Sequence, residues 1–189
     1  MTPQMRWFLL AIAVASILSS CSTEIMATPP CDRPTNQWVL VAQSVPSATF
    51  LPCVDVLPLG WSVSEVTYES GSYTAWFDAV RAGRNALQVT LTAACDVSHA
   101  AEVPDKIAPS GTRAYEDVMT LRPRFQENRY LTFPGGCITY SFRFTESAQP
   151  MVALEVQRAL DVIPRARVQR AVASLGLTLC GAGSPPCPG

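Results

Sequence analysis

The sequence predicts an α+β domain: an antiparallel β-sheet of about six strands, covered by a C-terminal helix pair and stapled by disulfides. Three observations carry this prediction. Apolar and polar residues alternate with a period of two in several short runs between residues 63 and 145, which is the pattern of half-buried strands. After Pro150 the apolar period lengthens to that of a helix, and strands first with helices last is the order of an α+β chain. Six cysteines follow residue 21, an even set that reads as three bridges. With 189 residues, 48% of them hydrophobic and 15% charged, the chain is long enough for one core and too apolar for wholesale disorder. Fourteen Lys and Arg against fifteen Asp and Glu leave a net charge of −1, without the basic footprint of a nucleic-acid binder.

Residues 1–20 read as an export signal. Arg6 and the initiating amine precede an uncharged, mostly apolar run from Trp7 to Leu18. A membrane-spanning helix takes about 20 residues, so this run is too short to span and fits a secretory h-region. It ends in Leu18-Ser19-Ser20-Cys21. That tetrad resembles the lipobox of bacterial lipoproteins: an aliphatic residue, two small residues, and the cysteine that is acylated and becomes the mature N-terminus. The resemblance implies a diacylglycerol anchor on Cys21, with membrane lipid as partner and the extracytoplasmic face of the cell membrane as address. Ordinary signal-peptidase cleavage near Ala27, with Cys21 discarded, is the alternative. Both readings leave the same six cysteines in an oxidising compartment.

Residues 21–36 read as a polar, proline-containing tether, its second half pinned to the body through Cys31. Residues 37–189 read as a single domain with a Cys/Pro/Gly-rich tail from residue 180. Trp38 to Val45 is either a buried strand or a short helix, stopped by Pro46. Pro52, Pro58 and Gly60 mark an irregular stretch. Val63–Glu69 and Tyr73–Ala79 flank Ser70-Gly71-Ser72, a hairpin signal. Ala86 to Cys95 is the cleanest strand, with Leu87, Val89, Leu91 and Ala93 on one face and Gln88, Thr90 and Thr92 on the other. Residues 96–112 read as a loop, Arg113–Leu121 as a strand broken by Arg122-Pro123, and Arg129–Phe133 as another that ends in a bend at Pro134-Gly135-Gly136. Ile138, Tyr140, Phe142 and Phe144 alternate with Thr139, Ser141, Arg143 and Thr145. Val152, Val156, Ala159 and Ile163 form a helical stripe. Pro164 opens a second helix carrying Val168, Ala171, Val172 and Leu175, stopped by Gly176.

The spacing ranks the disulfide candidates. Cys95 ends one strong strand and Cys137 begins the other, so antiparallel neighbours would bring them together. Cys31 with Cys53 would tie the tether to the body, and Cys180 with Cys187 would close a small C-terminal loop.

No catalytic residue, metal site or cofactor is assigned from the sequence. A single histidine, His99, rules out multi-His zinc motifs, and there is no nucleophile elbow, phosphate-binding glycine loop or CxxC pair. His99 lies among Asp96, Glu102, Asp105 and Lys106, where a solvated loop histidine is the plainer reading than a general base. Glu65 with Glu69, and Glu116 with Asp117, are the carboxylate pairs a glycosidase would need in a cleft, though ordinary solvated strands account for them. Among the aromatics, Trp61 and Tyr130 are expected to be the exposed exceptions. Arg158, Arg165, Arg167 and Arg170 would face anionic groups or simply water.

Residues 46–61 and 129–140, including LPLGW and RYLTFPGGCITY, are similar to segments of exported lipoproteins of Gram-positive bacteria. That resemblance implies a shared fold and brings no activity with it. The expected function is therefore a membrane-anchored binding or envelope-organising module without catalysis, whose partner is an envelope component or small ligand. The alternative is a cell-envelope glycan hydrolase using carboxylates or His99.

Overall fold

The computed structural model describes residues 28–33, 35–104, 108–146, 150–183 and 186–187. The export signal, the lipobox-like tetrad and Cys21 lie outside them, as do Asp105 and Lys106. In chain order the described elements are α1 (Asn36–Ser44), β1 (Phe50–Val54), β2 (Trp61–Glu69), β3 (Ser72–Ala79), β4 (Gly83–Thr92), β5 (Ala101–Val103), β6 (Arg113–Thr120), β7 (Gln126–Phe133), β8 (Gly136–Arg143), α2 (Pro150–Gln157), β9 (Leu160–Pro164) and α3 (Arg165–Ala173). The class is α+β. Seven strands form an antiparallel sheet in the order β2-β3-β4-β8-β7-β6-β5, and β1 pairs with β9 in a separate two-stranded ribbon.

The two clearest alternating runs, β4 and β8, are neighbours at the centre of the sheet. Leu87 faces Phe142, Val89 faces Tyr140 and Leu91 faces Ile138 across the ladder. Each run closes a meander, β2-β3-β4 on one side and β6-β7-β8 on the other, with β5 added at the far edge. Their inner face carries the core. The other face, with Gln88, Thr90, Thr92, Thr139, Ser141 and Arg143, is half-buried polar surface. Cys95–Cys137, Cys31–Cys53 and Cys180–Cys187 are all bridged, with Cα separations of 5.7, 5.1 and 4.7 Å respectively.

The β2–β3 hairpin turns through Ser70-Gly71 as expected, with Gly71 at a φ of 93°. The β7–β8 hairpin turns through Pro134-Gly135, again with glycine in the left-handed region. A Cβ on Gly135 would strike the Ser47 carbonyl, so glycine here also permits docking. Ser47 Oγ donates to the Gly135 carbonyl at 2.6 Å and Thr49 Oγ1 donates to that of Pro134 at 2.8 Å, fixing the start of β1 against this turn.

Four expectations are corrected or resolved. Trp38–Val45 is helical: Trp38, Val41, Ala42 and Val45 are buried at helical spacing while Leu40 is 48% exposed, which strand alternation would not produce. Residues 50–54 are a strand despite Pro52, because a two-stranded ribbon leaves an open edge where the missing N–H costs no ladder bond. Residues 96–112 contain the seventh strand, β5; three residues are too few to show a period. The cleanest run stops at Thr92, leaving Ala93 exposed and Cys95 three residues past the ladder.

The helix pair is present but interrupted. Val152, Val156 and Ala159 are buried from α2 and the turn after it, whereas Ile163 reaches the core from β9. Ile163 precedes Pro164, which disfavours the helical region for it. Asp161 meanwhile accepts the Val162 N–H at 2.7 Å, a local bond that competes with helix. Pro164 then serves as N-cap of α3, and Gly176 follows its C-terminus with a φ of 73°.

The body also begins ahead of α1. Pro30 bridges Val54, the Val54 N–H donates to the Pro29 carbonyl at 3.0 Å, and Cys31 is bonded to β1 through Cys53. Arg165, expected on the surface, is buried at the first turn of α3. Its guanidinium donates to the Ala42 and Cys180 carbonyls, each at 2.6 Å, and burial lowers its pKa. Arg167 lies over the Trp38 ring at 5.6 Å, while Arg158 and Arg170 are exposed. Trp61 is buried rather than exposed, and Tyr130 is half-buried.

Candidate functional site

The register divides the inner face into rows that cross the whole sheet. One row runs Tyr73, Leu91, Ile138, Leu131, Ala114, Val103. The next runs Ala75, Val89, Tyr140, Arg129, Glu116, Ala101, and a third Phe77, Leu87, Phe142, Glu127, Val118. All three rows are apolar from β3 through β4. The second becomes charged at Arg129 and Glu116 on β7 and β6, and the third at Glu127 on β7 alone.

Where charge replaces hydrocarbon, the covering layer stands off from the sheet. A cleft of about 590 Å³ opens there, floored by Tyr140, Arg129, Glu116 and Leu131. Leu154 of α2 with Leu160 and Val162 of β9 make one wall; Val103, Pro104 and Pro109 line the other. Asp55, Arg158 and Asp161, all exposed, stand at the rim with Gln157.

The floor is held by an acid–base–acid arrangement. Arg129 Nη2 donates to Glu116 Oε1, its direct cross-strand partner, and Arg129 Nε lies 3.6 Å from Glu127 Oε1. Glu127 is the most enclosed of the three, its side chain 8% exposed, and burial pushes its carboxyl above the usual carboxylate range. One carboxylate is thus paired closely and the other loosely in a poorly solvated position. Such a site attracts a positive group, and it sets one partly open and one buried carboxyl on the two sides of Arg129.

The residues singled out in the sequence are scattered. Glu65 and Glu69 lie together on the polar face of edge strand β2, both exposed. Glu116 and Asp117 point to opposite faces of β6, and only Glu116 enters the cleft. His99 is exposed in the loop before β5. Nearby Asp96 accepts the Ser98 N–H at 2.9 Å, which holds its carboxyl below the ordinary range. Glu102 is engaged by Arg113 through two hydrogen bonds, of 2.6 and 2.9 Å. No group of three His, Cys, Asp or Glu suited to a metal gathers among the described residues, and none of their helices is long and apolar enough to cross a membrane.

Arg129 and Glu127 were missed from sequence, although a signal exists. Leu131 and Phe133 are inward residues of β7, and period-two parity carried back along the same strand puts Arg129 and Glu127 inside with them. Starting the strand at Arg129 instead of Gln126 left Glu127 outside it, and the parity of Arg129 with Leu131 went unused. Comparison with protein-family models, curated proteins and solved structures finds no match to this chain.

Proposed function

We propose that this chain is an exported lipoprotein, held on the extracytoplasmic face of the cell membrane by acylated Cys21, whose body is a non-catalytic binding module for a small ligand or envelope component. The observation that carries the address is the use of cysteine. Cys31, Cys53, Cys95, Cys137, Cys180 and Cys187 are consumed in three bridges, as suits an oxidising compartment, and Cys21, at the end of Leu18-Ser19-Ser20-Cys21, is the one cysteine of the sequence not among them. The cleft supports the binding role, since its volume lies in the range of small-molecule sites and its lining sets apolar walls beside charged groups that can orient a ligand. Replacing Cys21→Ser is expected to move the protein from the membrane to the soluble extracytoplasmic fraction and to remove the acyl mass from its N-terminal peptide. A variant that stays membrane-bound, or wild-type protein recovered in the cytosol with all seven cysteines titrating as free thiols, overturns the proposal.

A second reading, the envelope glycan hydrolase, is favoured by one observation. Glu116 and Glu127 flank Arg129, burial pushes the Glu127 carboxyl up, and a glycosidase divides its general-acid and general-base roles between two carboxyls in different surroundings. Release of soluble sugar from purified cell wall, lost in both Glu116→Gln and Glu127→Gln, would establish it. Equal release by wild type and both variants would dismiss it.

A further inference from the structure

We infer that the cleft receives an organic cation with a hydrocarbon body, an amine or quaternary ammonium whose charged end sits against Glu116 and whose chain lies along Leu131, Leu154 and Leu160. This deepens the binding-module reading and rests on it. Charge selects the sign of the ligand. Three carboxylates line the cleft, those of Asp55, Glu116 and Asp161, against the two cations Arg129 and Arg158, and Glu127 lies behind Arg129 as a further acid. The Arg129 guanidinium already faces two carboxylates, so an incoming anion has to displace Glu116 and leave it unpaired. An incoming cation meets the rim carboxylates Asp55 and Asp161, which have no ion-pair partner among the described residues, on its way to Glu116.

The walls select the rest of the ligand. Leu154 is 45% exposed although it faces the sheet across the cleft, and with Leu160, Val162 and Pro104 it offers hydrocarbon without hydrogen-bonding groups. This surface suits an alkyl or aryl frame better than a polyol. Tyr140 on the floor adds an aromatic ring, and ring faces attract ammonium groups.

The test uses the purified, disulfide-bonded full chain and three probes sharing an eight-carbon chain: octyltrimethylammonium, octanol and octanoate, each below its aggregation concentration. Calorimetric titration is expected to show the ammonium binding roughly tenfold or more tighter than the other two. Glu116→Gln should weaken the ammonium about tenfold and admit octanoate, because Arg129 is then released to pair with it. Leu154→Arg, at a half-open position that tolerates change, should weaken every probe that occupies the cleft. If octanol or octanoate binds as tightly as the ammonium and Leu154→Arg abolishes it, the cation inference falls while the binding cleft stands. If no probe binds, or binding ignores both substitutions, the cation inference and the assignment of binding to this cleft fall together.

Discussion

The sheet is built from two meanders of the same shape, β2-β3-β4 and β6-β7-β8, joined at β4 and β8, yet they ended with different fates. On β3, the middle strand of the first, the inward residues are Tyr73, Ala75 and Phe77, all fully buried; α1 lies against β2 and β3, and β1 against β4. On β7, the middle strand of the second, the inward set is Leu131, Arg129 and Glu127, and the layer of α2 and β9 stands off across the cleft. The hydrogen-bonded ladders are alike, so the backbone is indifferent to the outcome. The meander stays open where the inward Arg129 and Glu116 line the cleft, because roofing that pair with hydrocarbon would strip water from groups that need it.

Substitutions placed in matching positions of the two meanders can break or sharpen this contrast. The largest effect belongs to the covered side: Phe77→Ala is expected to cost about 3–5 kcal/mol in denaturant unfolding, through lost burial and an unfilled cavity. A cost under about 1 kcal/mol would mean the roof is loosely seated there. Next is the clasp beside the join, where the double change Cys95→Ala with Cys137→Ala is expected to cost about 2–4 kcal/mol, since the bridge closes a loop 42 residues in span.

On the open side, Arg129→Leu leaves Glu116 and Glu127 without their cation. Because Glu116 is partly open to solvent and the buried Glu127, its carboxyl already pushed up, can take a proton, the expected loss is only about 1–2 kcal/mol. Glu127 also makes the open meander sensitive to pH. Its folded-state pKa lies above its unfolded-state value, so its protonated form contributes stability that is fully present below the unfolded pKa and is lost as pH rises through the folded one. Glu127→Gln should therefore lose less stability than wild type as the pH rises above the ordinary glutamate range of about 4, and parallel pH profiles would show the carboxyl to be solvated after all. The smallest effect is at Val118, inward on β6 yet 47% exposed, where Val118→Ala should stay within about 0.5 kcal/mol.

Much of this was legible in the chain because it depends on local pattern. Period two in 87–91 and 138–142 identified the central strands, and cysteines just outside them followed from antiparallel pairing. What was hidden depended on context. Ile163 reads as a helical position until Pro164 and the pairing partner β1 are considered together. Val41 and Ala42 distinguish helix from strand only once their burial is known. Arg165 looks like surface charge, and its two carbonyl acceptors come from residues 123 and 15 positions away. The cleft was least legible of all, since it arises where α2 and β9 fail to reach β6 and β7, and no single segment records that gap.

The N-terminal attachment has a mechanical corollary. Tension applied to the chain ahead of residue 28 can peel away only Thr28, Pro29 and Pro30, held by single hydrogen bonds to Val54 and Trp38, before it reaches a covalent stop at Cys31–Cys53. From there the load passes through Cys53 into β1, whose five residues are all paired with β9. A body pulled from this end should ride along with its attachment point instead of unravelling from it.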